Sequence, residues 1–228
     1  MKKKRYKKAI CWLLVDLAVA SIILTLLLYK PSRYSPPESD VHPEVLRDAQ
    51  KQGRVHPYLT YLSSELYNGA QRGKPFDLVV LQEKINETIG WSQWPKGSEG
   101  VMFSKPVVLF MSGSVVLMGT ADIKGAQFVV TIELQPRLDQ HGLLHLQVAK
   151  VKIGAMNITP LAKLVAKKMY QNHLATESID IEDLRTKLAA ALLNDEPFEP
   201  IIRVEDKKVR VEKVTVTQGK LILHLFPA

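Results

Sequence analysis

VKIGAMNITPLAKLVAKKM, residues 151–169, passes from an alternating apolar segment through one glycine and one proline into a lysine-studded amphipathic run. A strand, a turn and a helix in that order serve either as a phosphate cradle or as a packing hinge. A cradle needs several glycines and donors that converge on the helix N-terminus. Here Gly154 stands alone, and Lys163, Lys167 and Lys168 spread along the helix. The stretch therefore reads as a hinge: Ile153 ends a strand, Gly154 lets the chain depart, and Pro160 opens the helix.

The strand feeding the hinge changes phase. In GLLHLQVAKVKIG (142–154), Leu144, Leu146 and Val148 are apolar first; then Ala149, Val151 and Ile153 take over while Lys150 and Lys152 turn outward. Strand side chains alternate between faces, so a one-residue slip predicts a bulge or sharp bend. KKVRVEKVTVT (207–217) repeats the slip, with Val209 and Val211 yielding to Val214 and Val216 around Glu212 and Lys213. AQFVVTIELQP (126–136) alternates cleanly: Phe128, Val130, Ile132 and Leu134 against Gln127, Thr131, Glu133 and Gln135, one buried face and one wet. Before it come the β-rich runs VMFSKPVVLFM and SVVLMGTADI, and FEPIIRV, KKVRVEKVTVT and KLILHLFPA close the chain.

Three helices are predicted among these strands. LQEKINETIG (81–90) aligns Leu81, Ile85 and Ile89; the run after Pro160 carries a stripe of Leu161, Leu164, Val165 and Met169; SIDIEDLRTKLAAALLN (178–194) places acids first and Ala/Leu later. The fold class is α+β, with a curved antiparallel sheet wrapped around one or two helices after an N-terminal transmembrane helix.

The net charge of +8 suggests nucleic acid until it is located. MKKKRYKK holds six of the basic residues, which leaves 25 Lys and Arg against 23 Asp and Glu. The excess is thus a topology signal, and no nucleic-acid partner is expected. ICWLLVDLAVASIILTLLLY (10–29) follows at once, long enough to span about 30 Å of hydrocarbon. Asp16 costs roughly 3 kcal/mol at a central position, which twelve Ile, Leu and Val residues more than offset. It is either a tolerated interfacial residue or a partner or proton contact. The small-residue site at Ala18–Ser21 lies inside the apolar run, so an uncleaved anchor is expected. Positive charge before the span puts the N-terminus in the cytoplasm and the main domain outside it, in the cell inner (plasma) membrane. Cys11 is the only cysteine, so the exterior part has no disulfides. The expected organisation is a basic tail (1–9), the anchor (10–29), a proline-rich linker (30–42), a helical stalk (43–73) ending its second helix at Gly69, and the α+β body (74–228).

Few residues suggest reaction chemistry. MSGSV (111–115) lacks the spacing and the strand-to-helix context of a nucleophile elbow. His141 and His145 stand on a turn and a strand and do not converge on a metal. Asp180, Glu182 and Asp183 read either as a cation site or as a helix N-terminus, and DIEDLR fits the latter. No catalytic residue, metal or cofactor is expected, and the chain is read as non-enzymatic. Two features remain for binding. Trp91 and Trp94, in the loop WSQWPKGSEG, either touch the membrane or a ligand mouth, or fold back as a plug. Lys150, Lys152, Lys163, Lys167 and Lys168 either meet acidic headgroups or a wall polymer, or form a solvated face.

Several stretches taken together resemble the YpmS-type family of bacterial single-pass membrane proteins. They are the basic tail and anchor, VVLQEKINETIG with Leu81 and Asn86, and above all TIELQPRLDQHGLLHLQVAKVKIGAMNITP, over roughly residues 75–228. That family is distantly similar to the tubular lipid-binding (BPI-like) superfamily, in which a curved sheet wraps a long helix beside an apolar groove. The resemblance implies a bacterial source, so the glycosylation-like triplets at Asn86 and Asn157 carry no weight. It also implies a lipid or other hydrophobic ligand near the membrane. The expected groove comprises Phe128, Val130 and Ile132 from the sheet and Leu161, Leu164, Val165 and Met169 from the helix. The alternative is an envelope scaffold that positions protein partners.

Overall fold

The computed structural model describes residues 2–32, 34, 55–92, 94–98, 100–176 and 184–228, without the side chains of 2–11, 13, 98, 169–176 and 184–185. The expected stalk helix 43–53 and the acidic cluster Asp180, Glu182 and Asp183 lie outside the described residues. Among the described residues five helices are interspersed with eleven strands. In chain order they are α1 (Lys2–Leu27), α2 (Pro57–Gln71), β1 (Phe76–Leu81), α3 (Gln82–Gly90), β2 (Lys96–Ser98), β3 (Val101–Phe103), β4 (Val107–Met111), β5 (Ser114–Ile123) and β6 (Ala126–Leu138). Then follow β7 (Leu144–Ile153), β8 (Met156–Asn157), α4 (Thr159–Thr176), α5 (Leu184–Asn194), β9 (Ile201–Val204), β10 (Lys207–Thr217) and β11 (Lys220–Pro227).

The fold is α+β with antiparallel pairing throughout, but the strands form two sheets in place of the expected single one. The smaller runs β1-β11-β10-β9; the larger runs β2-β3-β5-β6-β7-β8, with β4 also on β5. The division follows from long-range pairing: β1 joins β11, setting Phe76 opposite Leu225 and Leu81 opposite Lys220. Both phase slips are bulges. Glu133 pairs with Lys150 but Leu134 with Val148, so Ala149 is the extra residue of β7. Val211 pairs with Leu225 but Lys213 with His224, so Glu212 is the extra residue of β10. Each bulge keeps one face of its strand apolar on both sides of the slip.

Valines on either side of the β10 bulge serve two core clusters. Val209 and Val211 pack with Leu78, Leu225 and Ala70, whereas Val216 packs with Val108 and Phe110. Val209 and Leu225 have no exposed surface at all. The first cluster is covered by α2 through Leu62 and Leu66, so this helix belongs to the body and is not a stalk. Nor does α2 stop at Gly69: it runs to Gln71, and the ring of Phe76 lies where a Cβ on Gly69 would be. The second cluster is covered by Ile85 and Ile89 of α3, while Leu81 stays exposed. Asn86 of α3 clamps β4 from both sides: its Nδ2 donates to the Val108 carbonyl and its Oδ1 accepts from the Val108 N–H, each at 2.8 Å.

The opposite face of the larger sheet has its own core of Val107, Val116, Met118 and Val129, closed by Tyr34. The Tyr34 hydroxyl lies 2.9 Å from Thr120 Oγ1 and 3.1 Å from Ser104 Oγ. Just before it, α1 ends against the β7–β8 turn, where the Ala155 N–H donates to the Leu26 carbonyl at 2.8 Å. Described apolar residues of α1, from Trp12 to Leu26, are exposed on every side. Over the described residues no helix is long and apolar enough to cross a membrane; of the expected span 10–29, the side chains of 10, 11 and 13 lie outside those described.

Candidate functional site

The bulge at Ala149 shapes a groove. Without it Val148 and Val151 would point to opposite faces of β7; with it both join Leu117 of β5 and Ile132 and Leu134 of β6 in one apolar floor. The walls come from Ala162 and Ala166 of α4 and Leu192 and Leu193 of α5. Alanines at i and i+4 lie on one side of a helix and leave space that larger side chains would fill. The resulting cavity has a volume of about 390 Å³, within the roughly 300–1,000 Å³ range of small-ligand sites.

Its rim is polar. Lys163 and Lys167 of α4 and Asn194 and Asp195 at the end of α5 ring the opening. Lys163 Nζ stands 3.6 Å from Asp195 Oδ2, both partly exposed, so this pair contributes little stability. Lys167 makes no ion pair among the described residues and leaves one cation for an acidic ligand head.

The expected groove residues divide. Ile132 lines the cavity; Val130 and Phe128 share its strand face but lie about 7 and 13 Å further along β6 and outside the lining. Leu161, Leu164 and Val165 are exposed, Leu164 at 68%. The helix is thus not embraced by the sheet: it presents its alanine side to the strands and its Leu/Val stripe to the exterior. The side chain of Met169 lies outside the described residues. Ala162 and Ala166, and the AAALL run of α5, were the available signal for close packing, but the larger apolar stripe of α4 outranks them on hydropathy alone.

Trp91 and Trp94 are tied within the chain and do not line the groove. Trp94 Nε1 donates to the Ile89 carbonyl at 3.0 Å, and Lys96 sits over its ring at 4.8 Å. Trp91 meets His56 edge to face, with ring centroids 4.7 Å apart. His56 itself caps α2, its Nδ1 accepting from the Tyr58 N–H, and burial pulls its pKa down. The pair thus packs against the junction of α2 and α3. The lysine set also fails to converge: Lys150 and Lys152 lie on the face of the larger sheet away from the groove, whereas Lys163 and Lys167 rim it.

Two histidine clusters have other roles. Asp139 accepts from the N–H groups of His141 and Leu143 at 2.9 and 3.0 Å, and His145 Nε2 lies 3.0 Å from its other oxygen. The His145 hydrogen bond, then those backbone donors, hold the carboxyl down at about 2. This is a turn lock, and no cluster of three metal-ligating side chains occurs among the described residues. On the smaller sheet, His224 Nδ1 meets Asp77 Oδ1 at 2.6 Å and its Nε2 is 3.4 Å from Thr215 Oγ1. The residue types are those of an acid–base–hydroxyl relay. However, they span three strands on a sheet face outside the groove, with backbone donors engaged in the ladders.

No protein-family model and no curated protein matches this chain.

Proposed function

We propose that the protein is a membrane-anchored, extracytoplasmic, non-enzymatic carrier or sensor that holds the acyl chain of a lipid or similar hydrophobic ligand near the bilayer. The observation that carries this reading is the groove itself: an apolar floor of Leu117, Ile132, Leu134, Val148 and Val151 under two helices, with a lysine at the rim. Each methylene buried there contributes about 0.8 kcal/mol. Lys167 is placed to meet a carboxylate or phosphate head. The anchor rests on the apolar run 10–29, on the basic residues ahead of it, and on the exposure of α1 on all sides. The resemblance to the YpmS-type family, and through it to tubular lipid-binding proteins, points the same way.

The test is native mass spectrometry of the full chain, purified in detergent and exchanged into a lipid-free amphipol, with uptake of a fluorescent fatty acid as a second readout. Bound lipid and saturable uptake are expected; the uptake, which reads the groove, is lost in Ala166→Trp, whose indole fills it. Absence of both in the wild type overturns the reading.

One observation favours a second reading, an envelope scaffold. Leu161, Leu164 and Val165 form an exposed apolar stripe on α4, the kind of surface that binds a protein partner. A protein co-purifying through that stripe, with no lipid in the groove, would support the scaffold.

A further inference from the structure

A second cavity, of about 330 Å³, lies on the other face of the larger sheet, directly under the segment that leaves α1. Tyr29, Pro31 and Ser32 form its roof; Thr131, Glu133, Lys150 and Lys152 form its polar floor. The floor is set by register, since Thr131 pairs with Lys152 and Glu133 with Lys150 across β6 and β7. Leu109, Met111, Val116 and Met118 make the remaining wall apolar.

Three observations give this cavity a ligand class. Lys150 and Lys152 make no ion pair among the described residues, so two cations stand side by side over the floor. Thr131 Oγ1 is buried with no hydrogen-bond partner among the described residues, and a buried polar atom of that kind calls for a partner. The position is fixed as well. Leu26 is bonded to Ala155 in the turn beside the cavity, Gly154 N–H donates to the Val129 carbonyl at 2.7 Å, and Tyr34 is buried beyond. The cavity therefore sits rigidly at the end of α1. On the reading that 10–29 spans the bilayer, on which this inference rests, that end is the headgroup plane.

We propose that this cavity binds the phosphodiester headgroup of a bilayer phospholipid. Lys150 and Lys152 hold the phosphate, Thr131 donates to it, and Glu133 accepts from a headgroup that carries hydroxyl or ammonium donors. The apolar wall takes the first methylenes. Headgroups without such donors, as in phosphatidylcholine, leave Glu133 without a partner.

The experiment uses the full chain carrying Ala166→Trp, so that no groove lipid contributes, in nanodiscs of phosphatidylglycerol, phosphatidylethanolamine or phosphatidylcholine, followed by native mass spectrometry of retained lipid. Retention of either of the first two is expected, with phosphatidylcholine and the K150Q/K152Q variant each retaining at least about tenfold less, the loss expected for charge-assisted bonds. Equal retention by K150Q/K152Q, or by phosphatidylcholine, overturns the proposal. Inorganic phosphate is the second arm: if it displaces the lipid, the cavity takes free phosphate and the lipid assignment falls. Alkaline carbonate extraction of native membranes reports on the anchor alone. Wild-type protein that stays with the membrane while K150Q/K152Q keeps its lipid sinks the cavity but not the anchor; wild-type protein that is extracted sinks the anchor and the lipid assignment with it.

Discussion

The amide of Ala155 donates to the carbonyl of Leu26, joining the last turn of α1 to the hairpin that precedes α4. One of the orphan carbonyls at a helix end is thereby satisfied by the folded body and not by water. The contact depends on Gly154, whose φ is +58° and whose missing side chain leaves room for the Leu26 and Leu27 carbonyls. Gly154→Val adds a left-handed backbone penalty of about 1–2 kcal/mol and a direct clash, so α1 should undock while the two sheets persist. Limited proteolysis in the 28–34 segment should quicken several-fold with little change in circular dichroism. Unchanged cleavage would show that the docking is incidental.

An exposed leucine of α4 and a buried leucine of β11 give opposite expectations. Leu164→Ser alters an exposed side chain and should leave acyl-probe uptake unchanged and shift stability by no more than about 0.5 kcal/mol. Leu225→Ala, at a site with no exposed surface, should cost about 2–5 kcal/mol in thermal or denaturant unfolding. Loss of uptake in the Leu164 variant would reassign the binding face to the outer stripe.

Which parts of this architecture were legible follows from what each pattern encodes. A phase slip in β7 or β10 is local and has few alternatives, so the bulges at Ala149 and Glu212 could be placed from the alternation of Leu, Val and Lys. The hinge at Gly154 was legible for the same reason. Which face of α4 meets the sheet was not, because hydropathy ranks Leu161, Leu164 and Val165 above Ala162 and Ala166, whereas close approach to the strands favours the alanines. The split into two sheets was hidden too: β1 pairs with a strand about 145 residues later, and no local signal marks that partner. The same distance conceals the role of α2, whose Leu62 and Leu66 pack on valines of β10.

Asn86 binds both the N–H and the carbonyl of Val108, acting as a substitute strand along β4. Asn86→Leu keeps the volume but leaves both backbone groups without partners, a loss of about 1–3 kcal/mol. Amide hydrogen exchange should show it at Val108 first, with protection falling there before the global unfolding limit moves. Retained protection at Val108 would mean that another donor replaces the side chain.

Asp139 gives a pH dependence with a definite sign. Its carboxyl sits at about 2 in the folded chain against an ordinary 3.8, so between those values the unfolded chain binds more protons. Its contribution is therefore fully present above pH 3.8 and is lost as pH falls through about 2. Asp139→Asn removes the ionisation but keeps one oxygen for the His141 and Leu143 amides. Comparing unfolding of the two proteins from pH 6 down to about 2, the stability difference should be largest at pH 6 and shrink steadily on acidification. A difference that stays constant over this range would mean that the turn is held by its backbone geometry, including Gly142 at φ +76°, and not by the charge on Asp139.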